Sequence, residues 1–527
     1  MPRDRLARWP ALFRAVSDQP VLALLSAGLA ALILAAAVAA FSGLPYPRVH
    51  DEFSYLLAAD TFARGRLTNP APPFREHFDT MHVLQRPTYQ SMYPPAQGLV
   101  LALGQRLGHP IVGVWLSAAA MAAAFCWMLR GWLPARWAWV GAMLAAAQVV
   151  FLGREYDHGA VGYWSQSYWG GAVAAAGGAL VYGALPRLLR AGRRRDALLL
   201  GLGLAVLAHS RPVEGLVAAL PAGAVLARAF WRRTIPVRTA WPLALVLVAA
   251  ACTMGYYNHR VTGHALKMPI VEHHEQYCTF PVFLWQRPRP APEWTHPVLA
   301  EFHGGWEMNL YTRHFPWPNL LRQTALKLAR LWAFFLGPAL TIPLLFMPWR
   351  GRWRIAGAAC ALVLAACLLC VRASPHYFAP AAAPLFLLLA AGLRRLHHIV
   401  LRGFPAGALL GLLVFIAAWV QALSALALPD RGNTSVSRFM SFRRDLERDL
   451  ARAGGQHLLF VRYGPRHSIQ NEWVYNGADM TTAPVLWARA LDEESDRALR
   501  RHFQDRAAWR VEIDDDSARP ELLPWPE

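Results

Sequence analysis

Eleven stretches of this chain are too apolar and too long to sit comfortably in water, and they dictate what the chain can fold into. They fall at residues 21–43, 109–130, 136–152, 169–186, 197–209, 213–229, 240–257, 323–347, 355–371, 378–393 and 404–428. A helix needs about 20 apolar residues to cross a bilayer, so most of these qualify as spans and the shorter ones as tilted or thin-bilayer spans. Only 16% of the residues are charged and 55% are hydrophobic, against about 25% charged in soluble domains. The formal net charge of +20 suggests a nucleic-acid partner at first sight. The arginines instead gather in short loops between alternate apolar runs, as at Arg187–Arg195, Arg228–Arg238, Arg350–Arg354 and Arg394–Arg402, which is the pattern of cytoplasmic loops. No nucleic acid is expected. The charge bias orients residues 1–20 inside and everything after residue 428 outside.

The fold class expected is an α-helical polytopic membrane protein of about 11 spans with a small extracytoplasmic α/β domain. Residues 21–428 form the membrane domain, with a first outer loop at 44–108, a second at 153–168 and a third at about 258–321. Residues 429–527 form the outer domain: charges become frequent there, 436–454 and 493–504 have helical spacing, and 457–462, 483–490 and 509–513 read as strands. Within the first outer loop, Phe53–Arg64 and Ala96–Leu107 read as helices, the second lying along the interface. Tyr163-Trp164 and Tyr168-Trp169 read as an interfacial aromatic belt. No internal repeat of the kind that builds many transporters is visible.

Chemistry-bearing residues collect on one side. Asp51-Glu52 sits where the first span ends. Carboxylates at a membrane face are costly and mark function; the alternative is that they cap the following helix. Glu155 and Asp157 are a possible second acidic site, or partners for Arg154. Of the 19 histidines, all but His397 and His398 fall in outer loops or after residue 428. Arg211 and Arg372 run against the cationic bias by facing out; a guanidinium there suits a lipid-linked phosphate, or an internal pair such as Arg211 with Glu214. His376 and Tyr377, in the same turn as Arg372, are further candidate substrate contacts. His273-His274-Glu275 offers ligand residue types, but adjacent histidines on an irregular loop seldom converge on one ion. Five of the six cysteines lie in apolar runs and only Cys278 in an outer loop, so neither a disulfide nor a metal-type cysteine spacing is read. No cofactor is expected, a divalent metal being the alternative.

Asp51-Glu52 after the first span, Tyr93-Pro94-Pro95 leading a helix from Gly98 to Gly108, the corner Ser210-Arg211-Pro212-Val213-Glu214-Gly215, and Tyr257-Asn258 with Thr262-Gly263 together resemble the GT-C superfamily of membrane glycosyltransferases. The nearest resemblance is to bacterial relatives of protein O-mannosyltransferase and of the lipid A aminoarabinose transferase. It covers roughly residues 20–428 in topology, with two departures: Tyr93 stands where the family often has Lys, and no second acid of the outer loops aligns. The resemblance implies transfer of a hexosyl or pentosyl unit from a polyprenyl-phosphate sugar to a hydroxyl of a lipid, glycan or protein acceptor. It places the reaction at the outer face of the inner (plasma) membrane, with inversion. It implies Asp51 as general base, beside Glu52, with Arg211, Arg372 and Lys267 as candidate phosphate contacts and Tyr93 within the site. The competing expectations are a transporter or flippase of a lipid-linked saccharide, and an inactive membrane scaffold.

Overall fold

The computed structural model describes residues 11–152, 162–427, 435–514 and 520–526. Among them, eight helices are long and apolar enough to cross a membrane, and a bent pair makes a ninth. That pair, Trp317–Phe335 and Gly337–Leu345, turns through 93° at Gly337, whose φ of +57° is a left-handed conformation that glycine adopts without penalty. A single straight span was expected there. Two further helices take the places of the expected third and fifth spans: Ala135–Ala145, continued by a π-helical turn at Ala146–Leu152, and Arg194–Ser210. The chain is thus an α-helical, multi-pass membrane protein carrying a small sheet.

The residues cluster into two compact units. The first, residues 1–44, 113–253 and 317–430, is helical. Its inner helices are Ala172–Ala191 and Ala379–His397, 72% and 89% buried along their apolar windows, whereas Ala406–Ser424 is only 22% buried. Leu409, Leu412, Leu413, Ile416 and Val420 on that last helix are correspondingly exposed, as lipid-facing side chains are. Apolar surface does not drive helices together in lipid, so close backbone approach through small residues must. Gly178 shows it: a Cβ there would lie 2.2 Å from the Pro380 carbonyl oxygen. The aromatic pairs expected at the interface are interior instead. Tyr163, Trp164, Tyr168 and Trp169 are all buried, with Trp164 against Phe334 and Phe335.

The second unit joins three separated segments, residues 45–112, 254–316 and 431–527. Its four-stranded sheet runs β4-β3-β5-β6. β3 (His457–Tyr463) lies parallel to both β4 (Val485–Arg489) and β5 (Ala507–Ile513), while β6 (Glu521–Pro524) returns antiparallel on β5. The first three strands and both helices, Ser435–Ala453 and Glu493–His502, fall where the sequence places them; β6, ending in Pro524, was not expected. A two-stranded hairpin of β1 (Val83–Leu84) and β2 (Gln90–Ser91) belongs to the first segment. Phe53, Leu57, Val83 and Tyr89 share one hydrophobic core with Phe439, Trp473, Tyr475 and Trp487. The α/β region is therefore continuous in packing with the segment that bears Asp51.

Candidate active site

The helix that carries the acidic pair runs His50–Ala63 and starts on Val49, so neither acid is its N-cap. The two carboxylates do different work. Glu52 is buried and reaches back to accept the Arg48 backbone N–H at 2.8 Å, which satisfies a donor at the helix start. Asp51, one residue earlier, is turned the other way and keeps 17% of its side chain exposed. The structure thus separates a buried acid from a partly exposed one.

Tyr93 and His82 are among the side chains at Asp51. The Tyr93 hydroxyl donates to its Oδ1, and His82 Nδ1 lies 3.6 Å from its Oδ2. Tyr93 is positioned by the turn Met92–Pro94, where its backbone N–H meets the Ser91 hydroxyl, and by stacking on Tyr55 at 4.4 Å. The helix it introduces, Pro95–Arg106, packs on His50–Ala63 at Gly98, where a Cβ would come within 2.8 Å of the Ala58 Cβ. Leu99, Leu103 and Leu107 form an exposed stripe along its other side.

His82 is fully enclosed, its backbone in the left-handed region at φ +62°, a conformation that costs a non-glycine residue about 1–3 kcal/mol. Burial opposes its charge, but the carboxylates of Asp51 and Glu307 outweigh burial and raise its pKa to about 9. A left-handed backbone and an enclosed ionisable ring at one position point to function. Nothing in the sequence distinguished His82 beyond its sharing a loop with Asp51. His50 completes this side, its Nδ1 2.9 Å from the Tyr475 hydroxyl.

The other expected residues are placed as follows. Lys267 pairs with Glu272 and Glu275 at 2.5 and 2.6 Å, so its charge is engaged within its own loop. Arg211, Arg372, His376 and Tyr377 belong to the helical unit. There Arg211 lies over the Tyr377 ring at 4.8 Å, and His376 Nδ1 meets the Tyr163 hydroxyl at 2.6 Å. Glu155 and Asp157 lie outside the described residues. His273-His274-Glu275 is not irregular but part of the helix Pro269–Tyr277. His273 is buried there rather than solvated; desolvation, then His303 and His82, hold its pKa well below the usual value. Burial likewise brings His274 to about 4.

No family profile matches the chain, and no curated protein matches it either. Solved structures do. The apo crystal structure of the oligosaccharyltransferase from Archaeoglobus fulgidus gives a TM-score of 0.50 at 11% identity, covering 93% of this chain and 69% of that one. The cryo-EM structure of the arabinofuranosyltransferase AftD from Mycobacteria gives 0.47 at 17% identity. It covers 93% of this chain, which spans only 35% of the length of that one. At such identities the likeness is one of fold, and it rests on the archaeal enzyme. The chain shares the fold of that oligosaccharyltransferase.

Proposed function

We propose that this protein is a membrane glycosyltransferase that moves a sugar from a polyprenyl-phosphate carrier to an acceptor hydroxyl, with Asp51 as general base. The observation that carries the reading is the setting of Asp51: an accessible carboxylate in the first turn of a helix, held by the Tyr93 hydroxyl and facing the buried ring of His82. Asp51 takes the proton of the acceptor O–H. That oxygen bonds to the anomeric carbon as the carbon–oxygen bond to phosphate breaks on the opposite face, which inverts the centre and releases polyprenyl phosphate. General-base assistance of this kind contributes about 10²–10⁴ in rate. The fold shared with an oligosaccharyltransferase supports glycosyl transfer as the reaction class.

Arg211 and Arg372 are the proposed contacts for the donor phosphate, since a guanidinium matches phosphate with paired N–H groups. His376 and Tyr377 stand beside them in this role, with Tyr377 under the Arg211 guanidinium. The acceptor is a lipid, glycan or protein hydroxyl. In this reading the site faces the outside of the plasma membrane, an orientation that the arginine-rich alternate loops support.

Purified protein in lipid, given a panel of polyprenyl-phosphate sugars, is expected to cleave one class of donor. Arg211→Ala and Arg372→Ala are expected to raise the donor KM at least severalfold while binding of a water-soluble acceptor is unchanged. Normal donor kinetics in both variants would remove the phosphate role and leave Asp51 to be judged separately.

A further inference from the structure

Beyond the groups around Asp51, a cluster of metal-ligating side chains stands out. Cys278, His303 and Glu307 are all buried, and their donor atoms lie within 4.8 Å of one another. Among the described residues no other set of three converges in this way. Cys278 Sγ is 3.6 Å from His303 Nδ1 and 3.9 Å from Glu307 Oε2, and His303 Nδ1 is 2.7 Å from that same oxygen. His273 Nδ1 lies 3.8 Å from the sulfur. Two short helical stretches present the set. His303 and Glu307 are one turn apart on the helical run 297–312 and so share a face. Cys278 closes the helix Pro269–Tyr277, one turn beyond His273 and His274, with its backbone N–H donated to the His274 carbonyl.

Two chemical readings compete for such a cluster. A thiol nucleophile needs its histidine between sulfur and carboxylate, one ring nitrogen for each. Here the thiol and the carboxylate address the same nitrogen, Nδ1 of His303, and the thiol is buried. That arrangement cannot relay a proton, but it is what donors around a common centre look like. Around zinc, bonds of about 2.0–2.3 Å at tetrahedral angles put donors roughly 3.3–3.6 Å apart. The Sγ–Nδ1 distance matches, and the other two need shifts of well under about 1 Å. Nε2 of both His273 and His303 is buried and lacks a hydrogen-bond partner, so each ring has its bonding directed to its Nδ1 side.

We propose that Cys278, His303 and Glu307 bind one divalent transition-metal ion of the zinc type, with His273 beside the sulfur. The thiolate and imidazole disfavour magnesium, calcium and manganese, which take oxygen ligands. One thiolate and one carboxylate cancel the two charges of the ion, as a buried site requires. Three protein donors hold the ion inside the protein. It ties the helix 269–277 to the run 297–312. Through Glu307, whose Oε1 is 3.9 Å from His82 Nε2, it also fixes the surroundings of His82. The site stands whether or not Asp51 is a base.

The test is elemental analysis of the full-length protein purified in detergent without added metal, followed by cobalt exchange of the same sample. About one equivalent of zinc per chain is expected in the wild type, in Cys252→Ser and in Asp51→Asn. Cys278→Ser and Glu307→Gln are expected to lose at least severalfold. Cobalt-loaded wild type is expected to show the near-ultraviolet charge-transfer band of a thiolate ligand, a reading that needs no variant to fold. Sub-stoichiometric metal together with no thiolate band would overturn the site. So would stoichiometric metal that Cys278→Ser retains in a well-folded protein.

Discussion

In the helical unit the best-buried helix, Ala379–His397, is lined by alanine and leucine, and it meets its neighbours through gaps as tight as that between Gly178 and Pro380. In the three-segment unit the interior is full of polar groups. Glu472 is fully buried, accepting from Arg489, from the Tyr463 hydroxyl and from the Val474 N–H. Arg443 is buried as well and donates to the carbonyls of Trp473 and Tyr475. His82, His273, His303 and Glu307 add further enclosed ionisable groups. The first unit is held by shape in an apolar solvent, while the second encloses many polar and charged groups, several of them hydrogen-bonded to one another. The contrast bears on where chemistry can be placed: a charge that is to be oriented needs surrounding partners, and the second unit supplies them around Asp51.

The contrast can be broken most severely at Glu472. Removing one member of a buried ion pair leaves the other uncompensated and costs about 3–5 kcal/mol. Glu472→Ala is expected to lower the melting temperature sharply, measured by a thermal-shift assay in detergent. Because burial is outweighed by Arg489, the Glu472 pKa is depressed to about 2. Its contribution is therefore present above the unfolded value near 4.5 and is lost as pH falls from there through 2. The shift corresponds to about 3 kcal/mol. Melting temperature should fall across that window in the wild type, and Glu472→Gln should flatten this part of the profile.

A comparable insult to the helical unit is steric. Gly178→Val drives a branched side chain into the Pro380 carbonyl and is expected to cost about 1–3 kcal/mol, with no change in the pH profile of stability. An equal pH response in both variants would erase the distinction between the units. The smallest effect sharpens the site. Tyr93→Phe removes one hydrogen bond to Asp51 but none of the ring packing on Tyr55. It should reduce kcat about tenfold while leaving melting temperature unchanged.

The two units also differ in how far they were legible from sequence. Hydropathy located the helical unit almost completely, because in lipid each span must satisfy its own backbone and so announces itself by length. It missed the bend at Gly337 and placed Trp164 and its neighbours at the interface, because aromatic clusters at span ends look alike whether they face headgroups or the interior. The alternating strands of the α/β region were legible by period, and the helix that bears Asp51 by its place after a span. The rest of the site was not. His82, Cys278, His303 and Glu307 come from segments far apart in sequence and are joined by folding. The one local signal, His303 and Glu307 at helical spacing, was hidden by Gly304-Gly305, which reads as a break yet lies within helical backbone.

Donor turnover by wild type beside Asp51→Asn, followed by mass spectrometry in lipid, tests the central claim most directly. The substitution removes a base while keeping nearly the same volume. Cleavage of a polyprenyl-phosphate sugar by wild type, with the variant slower by about 10²–10⁴ and equally stable, is the predicted result. A fully active Asp51→Asn protein, or a wild type that binds such donors and turns over none of them, would contradict it.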